Sequence, residues 1–250
     1  LRGAGHLGVL RQLTAHKIPV HVIVGSSAGA IVAAFYAAVG LDLDQLIRDA
    51  RGFRARHLVA HAVNVRLRHR HARLLGSFSG IIPARLEQLE GATFDQLHHG
   101  VEGIGIVCHD VASGSPRYFS TGNNGGARLS DVVRASASLP HLFPPIAVDC
   151  SGERVLLTDG GVSDCLPIAF ARRPPLSATH VIVSDCRLFS GPPPVSDRLV
   201  YLRPGLPTTG TLWSPSSTLL AAVRDGAATV SDDVLACIRS WTIGSVQGAR

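Results

Sequence analysis

The sequence predicts an α/β protein, and three observations carry that prediction. Residues 20–24, Val-His-Val-Ile-Val, form a β-branched run that leads through Gly25-Ser26-Ser27-Ala28-Gly29 into an Ala-rich helical run, giving strand, sharp turn and helix in immediate succession. Further Val- and Ile-rich strand patterns, at residues 103–111, 116–120, 155–157 and 179–184, are interleaved with helical ones. A chain of 250 residues with 46% hydrophobic and 17% charged residues can bury a substantial core, which excludes a disordered chain.

The turn at residues 25–29 fits G-x-S-x-G. Such a turn pushes the Ser27 hydroxyl out of the sheet, and flanking glycines leave room for backbone that Cβ atoms would obstruct. The helix that follows aims its first N–H groups at the same spot, where negative charge could be held. Residues 20–41 contain no Lys, Arg, Asp or Glu and are long enough to cross a membrane. Glycines and serines interrupt the run, however, and its β-branched first part and Ala-rich second part suit a buried strand followed by a buried helix.

Upstream, residues 2–10 contain G-x-G-x-x-G, but the acidic residue that a dinucleotide site needs about 20 positions on is missing; the first is Asp42. Small residues that open a helix beside an elbow can instead supply backbone donors to an oxyanion. No methionine occurs, position 1 included. The chain is therefore expected to begin inside a longer protein, with any signal peptide upstream. We expect a cytoplasmic or peripheral membrane location.

Asp42 and Asp44 can cap a helix through Ile47. Residues 48–73 then carry eight arginines and four histidines threaded with Leu and Val. Two readings stand: a solvated helical face, or an interfacial surface for anionic lipid headgroups. His57 and His61 lie one helical turn apart without the carboxylate of a zinc motif, so no metal is expected. The arginines lack interleaved aromatics, which argues against nucleic acid. Five widely spaced cysteines without a C-x-x-C pair make neither a disulfide framework nor a zinc site.

A short helix is expected at residues 83–89. Cys108 and His109 suggest a nucleophile and base, but neighbours on a strand face opposite ways. Ser130 can cap a helix over residues 131–136, which Leu139-Pro140 ends. Asp159-Gly160-Gly161 ends the strand at 155–157 and would ordinarily be a turn; beside Ser27 it becomes the best candidate base, with Asp185 at the end of the next strand as runner-up. Proline-rich residues 191–194 and 204–210 read as linkers. They divide the chain into a domain at 1–205 and a helical appendage at 206–250.

Arg2-Gly3 with Gly8-Val9-Leu10, the elbow at 25–29, Ala135-Ser136-Ala137-Ser138-Leu139-Pro140, and Asp159-Gly160-Gly161-Val162-Ser163-Asp164 occur in an order that resembles the patatin-like phospholipases, lipid acyl hydrolases. The resemblance covers residues 1–190 or so. It implies a three-layer α/β/α fold with a mostly parallel central sheet, and a Ser-Asp dyad in place of a triad, with Ser27 as nucleophile and Asp159 as base. It further implies an oxyanion and substrate-binding set of Arg2, Gly3, Ala4 and Ala28, motif glycines Gly25, Gly29, Gly160 and Gly161, a lipid or other acyl-ester substrate, and no cofactor. Two alternatives remain at this level: an α/β-hydrolase esterase with a Ser-His-Asp triad, for which His180 is the only histidine after Asp159, and a non-catalytic lipid-binding or scaffold domain.

Overall fold

The computed structural model describes residues 2–52, 81–187, 191–205 and 216–247; most of the arginine-rich segment, with His57 and His61, lies outside them. A 3-10 turn at Arg2–Ala4 opens into helix α1 (Gly5–Ala15), followed by strand β1 (Val22–Ser26) and helix α2 (Ala28–Ala33), which continues as a π-helical turn to Ala38. Helix α3 (Leu43–Gly52) starts with a reciprocal cap: the Gln45 N–H donates to Asp42 Oδ1 at 2.7 Å, and the Asp42 N–H donates to Gln45 Oε1 at 3.1 Å. Helix α4 (Ile81–Gly91), strands β2 (Gly103–Asp110) and β3 (Ser115–Ser120), helix α5 (Leu129–Ser136) and strands β4 (Ile146–Cys150) and β5 (Glu153–Asp159) come next. Helix α6 (Ile168–Arg172), strands β6 (Val181–Ser184) and β7 (Leu199–Leu202), and helices α7 (Ser216–Ala228) and α8 (Asp232–Gln247) complete the order.

Strand β2 is the spine. Ile104, Ile106 and Cys108 point to one face, where α1, α2, α3, α5 and α7 cover them with Leu10, Ala30, Leu46, Val132 and Val223. The alternate positions Gly103, Gly105 and Val107 face a thinner layer that holds Phe170 and Leu176. That period of two produces the three layers. The α/β class holds, and the pairing directions are mixed: β1–β2 and β6–β7 are parallel, whereas β2–β3, β2–β5 and β4–β5 are antiparallel.

The register on β2 matters most. Strand β3 occupies one edge from Gly105 to Asp110. On the other edge β1 pairs with Gly103 through Val107, and β5 takes over at Cys108. Because β1 runs parallel to β2 and β5 antiparallel, their C-terminal ends meet head to head, Ser26 opposite Val107 and Asp159 opposite Cys108.

Three local expectations are corrected. The first strand lies at Val22–Ser26, two residues later than the β-branched run, and only Gly25 in it is fully buried. Its free edge borders a cavity of about 760 Å³ that separates it from β6. Ser130 does not cap α5; Arg128 holds that position, and the Ser130 hydroxyl is buried inside the first turn without a partner. Within the expected appendage, the described residues 216–247 form helices α7 and α8 and do not stand apart. Leu219, Ala222 and Val223 of α7 enter the main core.

Bare backbone makes that docking close. A Cβ built on Gly8 would lie 1.9 Å from the Val223 carbonyl oxygen, and one on Gly226 would lie 2.0 Å from that of Gly5. Neither oxygen can move without unwinding its helix. Gly226→Val is therefore expected to lower the unfolding free energy by about 3 kcal/mol, at the upper end of overpacking costs, as measured by urea denaturation. A loss within about 0.5 kcal/mol would contradict the close packing of α1 and α7.

Candidate active site

Ser27 sits between β1 and α2 with φ 55° and ψ −120°, a region that L-residues rarely adopt. The strain follows from the chain's sharp reversal. A Cβ on Gly25 would fall 2.3 Å from the carbonyl carbon and oxygen of Gly29, so only glycine lets the strand pass this close to the helix. Gly29 is different: a Cβ there would approach nothing nearer than His6 Nε2 at 4.0 Å. Of the two flanking glycines, Gly25 alone is demanded by space.

The Ser27 hydroxyl donates to Asp159 Oδ2 at 2.6 Å. Asp159 is 3% exposed, and its other oxygen, Oδ1, accepts from the Gly161 N–H at 2.8 Å. Burial holds the Asp159 carboxyl above the usual carboxylate range, opposed by the hydrogen bonds from Ser27 and Gly161. Gly160 is required by contact: its Cβ would lie 2.1 Å from the Val107 carbonyl oxygen and 2.8 Å from Ser26 Oγ. A Cβ on Gly161 would meet Asp159 Oδ1 at 2.9 Å. The glycine pair thus lets the chain fold back against β2 while presenting an N–H to the carboxylate.

The two residues open into a cavity of about 400 Å³ whose walls include Gly3, Ala28, Leu139, Val162, Leu166 and Arg187. Leu139 and Val162 are exposed. Gly3 lies against the elbow so tightly that a Cβ on it would meet Ala28 Cβ at 2.2 Å. The start of the chain and the start of α2 are thereby brought together. Ala4 is buried in the core and does not reach the cavity. Arg2 uses its guanidinium as an anchor: Nε donates to the Cys186 carbonyl at 2.9 Å, and a terminal nitrogen donates to that of Arg187 at 3.0 Å.

The other sequence candidates are engaged differently, and of them Asp185 lines the same cavity. Cys108 donates its thiol to the Val132 carbonyl on the core face, and burial pushes that thiol's pKa up. His109 faces the opposite side and pairs with Ser163. His180 immediately precedes β6, at the end remote from Ser184, and packs at a tilt against Trp241 with ring centroids 4.8 Å apart. Asp185 is held by Arg187, with 2.9 and 3.0 Å contacts, and by the Tyr201 hydroxyl at 2.7 Å. Its charge is neutralised within the fold. No imidazole among the described residues hydrogen-bonds to Ser27 or Asp159, and no group of three or more His, Cys, Asp or Glu is arranged to hold a metal.

Sequence reasoning about individual residues passed over His6 and Ser136. The His6 Nδ1 lies 2.8 Å from Ser184 Oγ, and burial lowers this imidazole to about 4, opposed by Asp185, so it is neutral. Ser136 Oγ accepts the Ser27 N–H at 3.1 Å. The one signal for Ser136 was its place in the Ala-Ser-Ala-Ser-Leu-Pro run.

A family model described as patatin-like phospholipase matches residues 1–172. An uncharacterised NTE family protein of Mycobacterium tuberculosis is 31% identical over 173 residues, covering 66% of this chain and 25% of that protein. A second from the same organism is 28% identical over 172 residues, covering 67% and 42%. The chain thus spans less than half the length of these relatives. The crystal structure of VipD from Legionella pneumophila superposes with a TM-score of 0.53 at 13% identity, over 96% of this chain and 65% of that one, a likeness of fold.

Two stability outcomes follow from the site. Ser27→Gly is expected to be about 1–2 kcal/mol more stable than Ser27→Ala, because glycine relieves the positive φ and alanine does not. Urea unfolding of the two variants compares them directly. For Asp159, a raised native pKa means that the fold disfavours the ionised form. The charge therefore subtracts stability above the native pKa, and that loss disappears as pH falls through it. Asp159→Asn should melt at or above the parent at pH 8, and the gap should close towards pH 4 in calorimetric scans.

Proposed function

This chain belongs to the patatin-like phospholipase family, and from that premise we propose that it is a lipid acyl hydrolase in which Ser27 attacks the ester and Asp159 is its base. The observation that carries the reading is the 2.6 Å hydrogen bond from the Ser27 hydroxyl to Asp159 Oδ2, made without an intervening imidazole. As Ser27 Oγ bonds to the ester carbonyl carbon, its proton passes to Asp159 Oδ2 and the carbonyl oxygen takes up negative charge. Backbone N–H groups of Gly3 and Ala28, two residues that pack against each other and line the cavity, would hold that oxyanion. Collapse expels the alcohol, which takes the proton from Asp159 and leaves an acyl-Ser27 ester. Water then gives a proton to Asp159, attacks the acyl carbon, and releases the fatty acid as Ser27 recovers its proton.

Burial of Asp159 supports this assignment, since a carboxylate with a raised pKa is a stronger base than an exposed one. Exposed Leu139 and Val162 at the mouth suit an acyl chain. We assign the arginine-rich stretch at 48–73 to peripheral contact with anionic lipid. Among the described residues no helix is long and apolar enough to cross a membrane.

Labelling with a fluorophosphonate probe and mapping the adduct tests the nucleophile. The probe should modify Ser27, and Ser27→Ala should lose labelling and at least about 10³-fold in ester hydrolysis while remaining folded. Asp159→Asn should lose turnover as well, whereas His109→Ala and His180→Ala should keep most of it. An active Asp159→Asn beside an inactive, folded His180→Ala would favour a triad instead. Because the base must be ionised, activity should fall as pH drops through the raised pKa of Asp159. The acid limb of the rate profile should therefore lie above the usual carboxylate range. Sedimentation with anionic and neutral vesicles checks the lipid contact: binding should favour the anionic ones and weaken with salt.

A further inference from the structure

Between helix α5 and strand β4 the chain makes contact with both halves of the Ser27–Asp159 pair. Ser136, the last residue of α5 and 0% exposed, accepts the Ser27 N–H at 3.1 Å and donates its own hydroxyl to the Val107 carbonyl at 2.6 Å. Two residues on, the Ser138 carbonyl accepts the Asp159 N–H at 3.1 Å and the Thr158 hydroxyl at 2.6 Å. The Val107 carbonyl is also the atom against which Gly160 packs. The stretch from Ser136 to Ser138 is thus a bracket, with one arm on the serine's backbone and the other on the aspartate's.

From this geometry we propose that Ser136 is a positioning residue for the dyad, fixing the strained Ser27 backbone at the distance from Asp159 that proton transfer needs. The proposal rests on the Ser27–Asp159 reading of the site. Its physical basis is specific. The Ser27 N–H is part-buried, belongs to a residue at positive φ outside the sheet ladder and before the first helical turn, and an N–H shielded from water calls for an acceptor. The Ser136 hydroxyl is that acceptor, and its own proton is committed to β2, so the oxygen lone pair has a fixed direction. Without it, no other acceptor among the described residues holds the Ser27 amide, and the elbow can relax towards a less strained φ. A displacement of the hydroxyl by about 1 Å can cost on the order of 100-fold in rate.

Helix α5 contains a matched control. Ser130 is equally buried, on the same helix, and its hydroxyl has no partner in the described structure. Steady-state kinetics on a short-chain nitrophenyl ester, with the parent chain, Ser136→Ala, Ser130→Ala and Ser27→Ala, test the proposal. Ser136→Ala should lower kcat by about 10- to 100-fold with KM within about twofold, while Ser130→Ala keeps both. A second readout is the acid limb of kcat. The hydrogen bond from Ser27 lowers the Asp159 pKa, so its weakening in Ser136→Ala should move that limb to higher pH. Cys108, paired with Asp159 across β2, has a thiol that stays neutral over this range, and Ser27 and the Gly161 N–H are the other groups on the carboxylate.

Parent-like kcat and an unmoved acid limb in Ser136→Ala would overturn the proposal, as would an equal loss in Ser130→Ala, which would mean a general weakening of α5. Should Ser136→Ala fail to fold by circular dichroism, Ser136→Cys, which keeps the volume with a poorer acceptor, is judged by the same criteria. Ser27→Ala separates the two levels. If it hydrolyses the ester as fast as the parent, the dyad reading fails; if it is inactive while Ser136→Ala matches the parent, only the bracket fails.

Discussion

One edge of β2 carries two strands end to end, and the candidate site exists because of it. A strand edge offers a fixed ladder of donors and acceptors, so partners that share it are placed relative to one another to within a hydrogen-bond length. β1 arrives parallel and stops at Ser26; β5 arrives antiparallel and stops at Asp159. Ser26 and Asp159 are thus brought to adjacent rungs, and Ser27, the residue after Ser26, is left within 2.6 Å of the Asp159 carboxylate. The glycines at 25, 160 and 161 are consequences of the same constraint. A Cβ at 25 would collide with the Gly29 carbonyl, one at 160 with the Val107 carbonyl, and one at 161 would crowd the Asp159 carboxylate.

The arrangement is costly to the fold. Ser27 holds a disfavoured φ, a strain of order 1–3 kcal/mol, and Asp159 holds a carboxylate away from water. Neither persists unless its surroundings over-determine it. For Ser27 these are the close approach at Gly25 and the acceptor on Ser136; for Asp159 they are two hydrogen bonds to its oxygens and one from its own amide to Ser138. The rest of the chain is arranged as support. The anchoring of Arg2 on the carbonyls after β6, and the glycine-to-backbone docking of α7 on α1, fix the segment that lies against Ala28.

What could be read from the sequence was what is encoded locally. The elbow was legible because a β-branched run, two small glycines and an Ala-rich run are contiguous, and Asp159 because it is followed by Gly160-Gly161 at a strand end. Strand β4 escaped notice because Pro144-Pro145 precede it and Asp149 interrupts its pattern. Strand β7 escaped because it is only four residues long and flanked by prolines at 194 and 204. Sheet directions were hidden for a deeper reason: the pairing of β5 with β2 depends on contacts about 50 residues apart, to which no periodicity within a strand is sensitive. The docking of α7 was invisible in the same way. Gly8 and Gly226 carry no hydrophobic signal, and their importance lies in what is absent between two helices.

Among the described residues no imidazole bonds to the pair, and that changes what the environment would have to supply to a base. In a triad, histidine has a pKa near neutrality in ordinary surroundings, and the carboxylate need only orient it. A carboxylate acting alone starts as a weak base, so its basicity has to come from the fold. Burial raises the Asp159 pKa, while each hydrogen bond it accepts lowers it again. The site therefore has to limit those bonds, and Asp159 receives one from Ser27 and one from Gly161. The runner-up shows the contrary case. Asp185 also ends a strand beside the cavity, but Arg187 and Tyr201 surround it with donors, including a full countercharge. A carboxylate so well satisfied has little tendency to take a proton from serine. The two aspartates differ less in position than in how many donors the fold allows them, and that difference is what suits one to a base and the other to holding the wall of the cavity.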